Sequence, residues 1–415
     1  MLRLGGVVTH MLLSNEKIEF IIGDKEIMDY MPSVPALQPF NNNIILFLSE
    51  VSKRLLNDVA SRQYPDIMAY AFWVRRASLE RLVAQNRDKE NSLGRGLAFH
   101  VTPANIPLQF AYSLTVSLLS GNANIVRLSQ KDFPQTKILC DIYNDVLEIH
   151  PLIRSYISII KYEHDDAITQ ELSNCCDIRI IWGGNRAIDE IRNAKLPPRS
   201  VELTFADRFS ICVINSDEYL KVSNKIELAK DFFIDTYYSD QNACSSPRLI
   251  VWTGKNIKKA EVSFWSNIHK LVVDSYDLNE IQAVDKLVAF CRLAAVNKNI
   301  YNEKMLSAGN YVNVVKVDRL SSNIMDYKCS GGYFFEYETD NLSDLIPILI
   351  KGCQTISYFG INPNELFNLV INTGVKGVDR IVPLGKTMEL SLQWEGMDLI
   401  EAMSRRIDIL RDLDK

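Results

Sequence analysis

From Gly94 to Asn193 the chain alternates short apolar runs with amphipathic stretches, and that rhythm limits the fold more than any single residue does. Residues 97–101, 124–128, 156–161 and 178–182 read as strands. Between them the pattern predicts helices over 107–119, 133–148 and 167–172, with a short one over 186–193. A turn from Thr102 to Ile106 leads into the first helix. Pro107 suits its opening position and Gly121 its end. Strands joined by helices in this way build an open parallel sheet, and such sheets place their ligands beyond the strand C-termini.

The flanking sequence is read the same way. Strand-like runs occupy 6–13 and 17–22, followed by a Pro-rich turn at 31–39. Asn42 or Asn43 can cap a helix whose apolar face is Ile44, Leu48, Val51, Leu55 and Val59. A second helical region covers 66–85. Further strands are expected at 199–203 and 209–214. A second α/β region then carries strands at 248–252, 311–317, 333–338 and 354–359 and a helix over 278–296. The chain closes with Arg380-Ile-Val-Pro-Leu-Gly385, Trp394-Glu-Gly396 and a charged helix over 398–413. The expected division is an N-terminal segment with a dinucleotide-binding domain at 1–207, an α/β catalytic domain at 208–388, and a segment at 389–415 that packs back or contributes to oligomerisation.

Composition narrows the function classes. The 415 residues are 47% hydrophobic and 23% charged, as in soluble globular proteins of two or three domains. A net charge of −5 without a basic stripe argues against a nucleic-acid partner. The eight cysteines are scattered, with no CxxC pair and no zinc spacing, so no metal site is expected and the thiols are read as reduced. No run is long enough to span a bilayer, and the first residues lack the form of a secretion signal; a cytoplasmic location is expected.

Several residues could carry chemistry. Cys244 sits in Asp-Gln-Asn-Ala-Cys-Ser-Ser-Pro-Arg248, a small polar segment between a helix-like run at 230–238 and an apolar strand. It is either a nucleophile towards acyl groups or a half-buried loop cysteine. Asn105 lies at a strand-to-helix turn, where its amide can donate to an oxyanion or cap the following helix. Arg127 and Ser129 end a strand and could hold an adenosine ribose or its phosphate, or be solvated polar groups. Gly183-Gly184 could admit a pyrophosphate to a helix N-terminus, or be a plain turn. Glu202 is a base or orienting carboxylate, or a strand-surface glutamate. Cys175-Cys176 reads as structural. His100 and His164 stand alone, without a Cys/His hydrolase motif around them.

In this order the segments resemble the aldehyde dehydrogenase superfamily. Asn105 looks like its oxyanion asparagine, Gly121-Asn122 through Arg127-Leu-Ser129 like its dinucleotide-contacting segment, Gly183-Gly184 like its T-G-S turn, Glu202-Leu203 like the start of E-L-G-G, and Cys244 like the nucleophile. The match is closer to the acyl reductase branch, LuxC-like fatty acyl reductases of bacterial luminescence. It is carried by Gly94-Arg-Gly-Leu-Ala-Phe-His-Val-Thr-Pro-Ala-Asn-Ile-Pro107, Trp182-Gly183-Gly184, Ala243-Cys244-Ser-Ser-Pro247, Gln354-Thr355 and Asp379-Arg380-Ile-Val-Pro-Leu-Gly385. There are departures: Arg127 stands for the superfamily lysine, E-L-G-G reads Glu202-Leu-Thr-Phe205, and E-x-F-G-P has no clear counterpart.

The resemblance implies an open Rossmann-type cofactor domain beside an α/β catalytic domain. It implies reduction of an acyl-CoA or acyl-protein thioester to an aldehyde through an acyl-Cys244 thioester, with Asn105 and the Cys244 backbone N–H holding the oxyanion and Glu202 as the third catalytic candidate. Thr102, Pro103, Arg127, Ser129, Gly183 and Gly184 would contact the cofactor. Arg127 facing a 2′-phosphate favours NADPH over NADH. An acyl-protein synthetase partner and self-association are expected as well. The competing readings are an aldehyde dehydrogenase working in the oxidative direction, with Glu202 activating water, and a non-catalytic homologue that binds a dinucleotide or a partner.

Overall fold

The computed structural model describes residues 17–297, 300–306 and 309–410. The strand expected at 6–13 and the last residues of the helix expected over 398–413 lie outside them. The chain divides into two compact units, Met1–Ala206 with Leu390–Lys415, and Asp207–Glu389.

The first unit opens with β1 (Glu19–Ile22) and α1 (Lys25–Tyr30), then α2 (Asn42–Asn57), α3 (Pro65–Trp73) and α4 (Arg76–Gln85). Asn41, rather than Asn42 or Asn43, caps α2: its side chain accepts from Asn43 N at 3.0 Å. Ile44, Leu48, Val51 and Leu55 are buried, but Val59 lies past the helix end and is exposed. The single helical region expected over 66–85 is two helices. Val74 leaves the helical geometry and Arg75 is extended, and the Ser78 hydroxyl takes up the freed Phe72 carbonyl at 3.0 Å.

Next come β2 (Ser92–Gly94), β3 (Leu97–Val101), α5 (Gln109–Leu119), β4 (Ala123–Arg127), α6 (Pro134–Ile149), β5 (Ile157–Lys161), α7 (Asp166–Cys175), β6 (Ile178–Trp182), α8 (Asn185–Arg192) and β7 (Val201–Phe205). β1 and β3 to β7 form a six-stranded sheet in the order β1-β5-β4-β3-β6-β7, parallel except for β1. The central strands are near-continuous apolar runs because helices cover both faces. Right-handed crossovers put α5 and α6 on one face; the chain then reverses direction across β3, which puts α7 and α8 on the other. His100 is a satisfied core histidine. Its ring nitrogens meet Ser113 Oγ at 2.7 Å and Asn124 Oδ1 at 3.0 Å, and burial pushes its pKa down to about 4.

The second unit comprises β8 (Phe209–Asn215), α9 (Ser216–Lys221), α10 (Lys225–Asp235), β9 (Pro247–Thr253), α11 (Ile257–Ser275), α12 (Glu280–Val296), β10 (Ile300–Leu306), β11 (Val312–Val317), β12 (Tyr333–Glu338), β13 (Cys353–Phe359), α13 (Pro363–Thr373) and β14 (Arg380–Pro383). Its sheet runs β10-β11-β12-β9-β8-β13-β14, with only β10 antiparallel among the described residues. Apolar clusters pack on both faces.

The chain then returns to the first unit. The hairpin β15 (Gln393–Trp394) and β16 (Met397–Asp398) turns on Glu395 and Gly396, both at positive φ. It is followed by α14 (Leu399–Met403) and β17 (Ser404–Arg406), which pairs with β2. The long charged helix expected from Asp398 is therefore cut to five residues. Backbone partners win: Arg95 Nε donates to Ala402 O at 2.9 Å, Asn122 Nδ2 to Met403 O at 2.9 Å, and Ser404–Arg406 join a ladder.

The turn at Gly121-Asn122 ties these pieces together. Gly121 has φ +91°, and a Cβ there would lie 2.0 Å from Leu37 O. Gly121→Ala is expected to cost about 3 kcal/mol or more, since both the backbone conformation and the contact are lost. A chemical denaturation midpoint equal to that of the unsubstituted protein would contradict this.

Candidate functional site

In the first unit the Thr102–Pro107 turn leaves the C-terminal end of β3. Thr102 is anchored by its N–H and Oγ1 to Arg127 O, at 3.3 and 2.8 Å. The helix expected to open at Pro107 begins at Gln109, with Leu108 in the cap position and no side-chain cap bond. Asn105 therefore does not cap it. It lies exposed on the turn, with its amide free to meet a ligand.

Thr102, Pro103 and Ser129 line one cavity of about 610 Å³, on the side of the sheet edge where α6 begins. Arg127 lies over the ring of Tyr162, 4.4 Å from its centroid, and its buried Nε has no hydrogen-bond partner. Gly183 and Gly184 stand apart from the cavity, at the head of α8 on the opposite face. Gly184 is the cap residue there and, having no side chain, makes no side-chain cap bond to α8. A Cβ on Gly183 would meet only Ala187 Cβ, at 3.5 Å. An open backbone, a helix N-terminus and an unpaired guanidinium N–H fit a dinucleotide's phosphates. The residues expected to share one cofactor site are thus split between two faces of the sheet.

Glu202, on β7, has both carboxylate oxygens engaged. Arg179 donates Nε and Nη2 to Oε2, at 3.0 and 2.5 Å, and Arg192 donates Nε to Oε1 at 2.7 Å. Arg179 is itself buried and also reaches Ser173 Oγ, Ile191 O and Ala194 O. Burial opposes ionisation of Glu202, but the hydrogen bonds of Arg192 and Arg179 outweigh it and hold its pKa below the usual glutamate value. A carboxylate so held is a weak base, and its evident work is to tie β7 to β6 and α8. Glu202's contribution to stability should be complete above the ordinary glutamate pKa and fade as pH falls through the lowered folded value. Melting temperatures of the unsubstituted protein and Glu202→Gln between pH 3 and 7 should converge at the acid end. A difference independent of pH would show that the ion pairs do not matter.

In the second unit Cys244 is half-buried on the loop between α10 and β9. The loop is strained and over-determined. Asp240 and Gln241 both have positive φ, +52° and +56°, in a region L-residues avoid. The buried Gln241 side chain holds them: Oε1 accepts from Gly332 N at 2.8 Å and Tyr333 N at 3.2 Å, and Nε2 donates to Pro247 O and Tyr333 O, both at 3.3 Å. Tyr276 Oη donates to Asp240 Oδ1 at 2.6 Å. Ser210 Oγ donates to Cys244 O at 2.7 Å, and Ser246 N to Ala243 O at 3.0 Å. On the far side, Ser245 Oγ lies 3.4 Å from Met388 Sδ. Asp235 fixes that stretch by accepting from Gly385 N and Thr387 N, at 2.7 and 3.0 Å.

Two cations, Arg248 and Lys328, lie within electrostatic reach of Cys244. Arg248 is buried and donates to Cys329 O and Gln241 O; burial lowers its pKa to about 10, against the opposing pull of Cys329 and Cys244. Lys328 is likewise lowered, first by burial and then by Arg248, while Asp207 and Cys244 act the other way. Neither cation was singled out from the sequence. The signal was an arginine opening the apolar strand Arg248-Leu-Ile-Val-Trp252, since a buried arginine must be paired.

The acyl-CoA reductase (LuxC) family model matches residues 49–406. This chain belongs to that family. LuxC-family relatives include the long-chain acyl-protein thioester reductase of Photorhabdus luminescens, 23% identical over 317 residues, which cover 74% of this chain and 62% of the relative. The enzyme of the same name from Photobacterium phosphoreum is 31% identical over 169 residues, covering 40% of this chain and 33% of the relative. The chain thus spans less than two thirds of these relatives' length. Solved structures place the LuxC-family chain in the aldehyde dehydrogenase fold. Aldehyde dehydrogenase 21 from Physcomitrella patens, in complex with succinate, matches with TM-score 0.67 at 13% identity, over 91% of this chain and 86% of that one. The glyceraldehyde-3-phosphate dehydrogenase GapN of Methanocaldococcus jannaschii, complexed with NADP, matches with TM-score 0.62 at 14% identity, over 92% of both chains.

If the cations matter, removing one should raise the pH at which Cys244 becomes reactive. Lys328→Met is expected to move the midpoint of Cys244 alkylation by iodoacetamide upward by about half to one pH unit. Peptide mass spectrometry reads the site. An unmoved midpoint would show that Lys328 does not act on the thiolate.

Proposed function

We propose that the protein reduces an acyl thioester to an aldehyde through a covalent acyl-Cys244 intermediate. The observation that carries this reading is the Cys244 loop: a half-buried thiol on strained backbone, fixed by Gln241 and coupled to Arg248 and Lys328. Loops held in disfavoured geometry by many hydrogen bonds cluster at functional sites. Family membership and the names of the relatives support the same direction.

The Cys244 sulfur attacks the thioester carbonyl carbon, a new C–S bond forms, and the donor C–S bond breaks. The donor leaves as a thiol, taking a proton. Exchange of one thioester for another is nearly thermoneutral, so positioning sets the rate. Asn105 is proposed to donate its exposed amide to the developing oxyanion, with the Cys244 N–H as a second donor. The nicotinamide, when bound, supplies a hydride equivalent to the acyl carbon. Cys244 then leaves as thiolate and the aldehyde is released. Gly183, Gly184 and the N-terminus of α8 are proposed to hold the pyrophosphate. Arg127 is proposed to take the 2′-phosphate of NADPH in preference to NADH. No step requires a water-activating base, which suits a Glu202 committed to two arginines. That commitment favours reduction over the oxidative alternative.

The donor, acyl-CoA or an acyl-protein passed on by a synthetase, belongs to the same proposal, as do a cytoplasmic setting and self-association. Among the described residues no helix is long and apolar enough to cross a membrane.

Incubation with acyl-CoA is expected to add the acyl mass to the Cys244 peptide, and NADPH to remove it with stoichiometric oxidation. Cys244→Ala should form no aldehyde. Asn105→Ala should lower kcat by roughly 10²–10³ with little change in KM. An enzyme that turns over without Cys244 would sink the reading.

A further inference from the structure

The cavity of about 610 Å³ in the first unit has a floor made of Ile21, Ile106, Phe110, Leu128, Phe133 and Cys140. Its charged lining balances: Lys131, Lys137 and Lys161 face Glu19, Asp132 and Asp141, three against three. The charges are also locally engaged. Lys161 pairs with Asp132, Lys137 with Asp141 at 3.3 Å, and Lys131 lies 4.8 Å from the centre of the Phe133 ring. Pro134, at the first position of α6, removes an N–H that an anion would use. Cys140 is an inert thiol, buried on α6. This is a poor seat for a dinucleotide, whose phosphates need uncompensated donors. On the other face the buried Arg127 Nε has no hydrogen-bond partner, and the head of α8 is capped by a glycine.

We propose that this cavity holds the hydrocarbon chain of the acyl substrate and that the dinucleotide does not enter it. The inference rests on the thioester reductase reading and names the part of the molecule that would select chain length. Its wall includes Thr102, Pro103, Ile106 and Pro107, which flank Asn105 on the same turn. The turn that bears Asn105, the amide proposed to receive the thioester head, thus forms part of the cavity wall. A methylene occupies roughly the 30 Å³ of a liquid water molecule, so about twelve to sixteen of them fit with room to spare. Thr102, Pro103 and Ser129 thereby change role, from cofactor contacts to the lining of an acyl site.

The test is direct binding to the full-length protein. The fluorescent fatty acid cis-parinaric acid is the probe, and 1-alkanols of increasing length displace it. Each added pair of methylenes is expected to strengthen displacement roughly tenfold until the cavity is full. Cys140→Trp, from α6, and Ile106→Trp, from the turn, each fill the space and are expected to weaken probe binding at least tenfold. Saturating NADPH is expected to leave the probe in place. Competitive displacement by NADPH, no binding to the unsubstituted protein, or no dependence on alkanol length would each overturn the proposal. Unchanged binding in both filled variants would do the same. The alkanol series needs no variant, so a substitution that fails to fold does not remove the test. A protein that binds the probe but never oxidises NADPH with any acyl thioester would count against the reductase reading and leave the cavity assignment standing.

Discussion

A buried turn has to satisfy its own backbone polar groups, and in the first unit that requirement is met at Gly121-Asn122 by segments far apart in the sequence. The Asn122 amide is buried. Its Oδ1 accepts from Arg95 N and Gly96 N, at 2.7 and 3.2 Å, and its Nδ2 donates to Met403 O. Gly121 O accepts from Leu37 N at 2.9 Å, and Gly94 N donates to Leu37 O at 2.8 Å. One small side chain and one glycine thus align the strand entering β3, the strand entering β4, and the segment that returns after the second unit. The register of β3 against β4 follows, and with it the height at which the Thr102–Pro107 turn leaves the sheet.

The same solution recurs in the second unit with larger groups. Gln241 uses both ends of its amide, and Arg248 spans the backbone of Gln241 and Cys329. Buried polar groups of this kind cost several kcal/mol when a partner is missing, so they specify one arrangement rather than add much net stability. Two consecutive left-handed residues persist at 240–241 because the loop has no cheaper way to keep all these bonds. Cys244 inherits its position from that constraint.

The parallel strands were readable from the sequence because burial on both faces leaves continuous runs such as Ile178-Arg-Ile-Ile-Trp182, and their ends moved by only a residue or two in the structure. What failed to show had competition from partners distant in sequence. The helix expected from Asp398 gave way to a ladder with β2, and of the two readings of Asn105 the helix cap gave way to a turn that places Leu108 at the start of α5. The long helix α11 went unassigned. Of the candidate site, Cys244 stood out by its polar surroundings, whereas Gln241 and Lys328 did not, since their roles come from contacts with residues some 90 and 80 positions away. Glu202 read as a base or as a strand-surface carboxylate, and only the structure brings Arg179 and Arg192 onto it. The cavity was invisible because its lining comes from β1, the turn after β3, the end of β4 and α6.

The first unit is discontinuous: its hairpin, α14 and β17 lie beyond Glu389, after the whole of the second unit. During synthesis the sheet strands emerge early, but Met403 O and the ladder on β2 are missing until the second unit has left the ribosome. The bond from Asn122 Nδ2 to Met403 O and one edge of β2 must wait for them. The second unit, contiguous from Asp207 to Glu389, can reach its native contacts first. Vectorial folding of this chain therefore runs against its sequence order, with the sheet that begins first finished last.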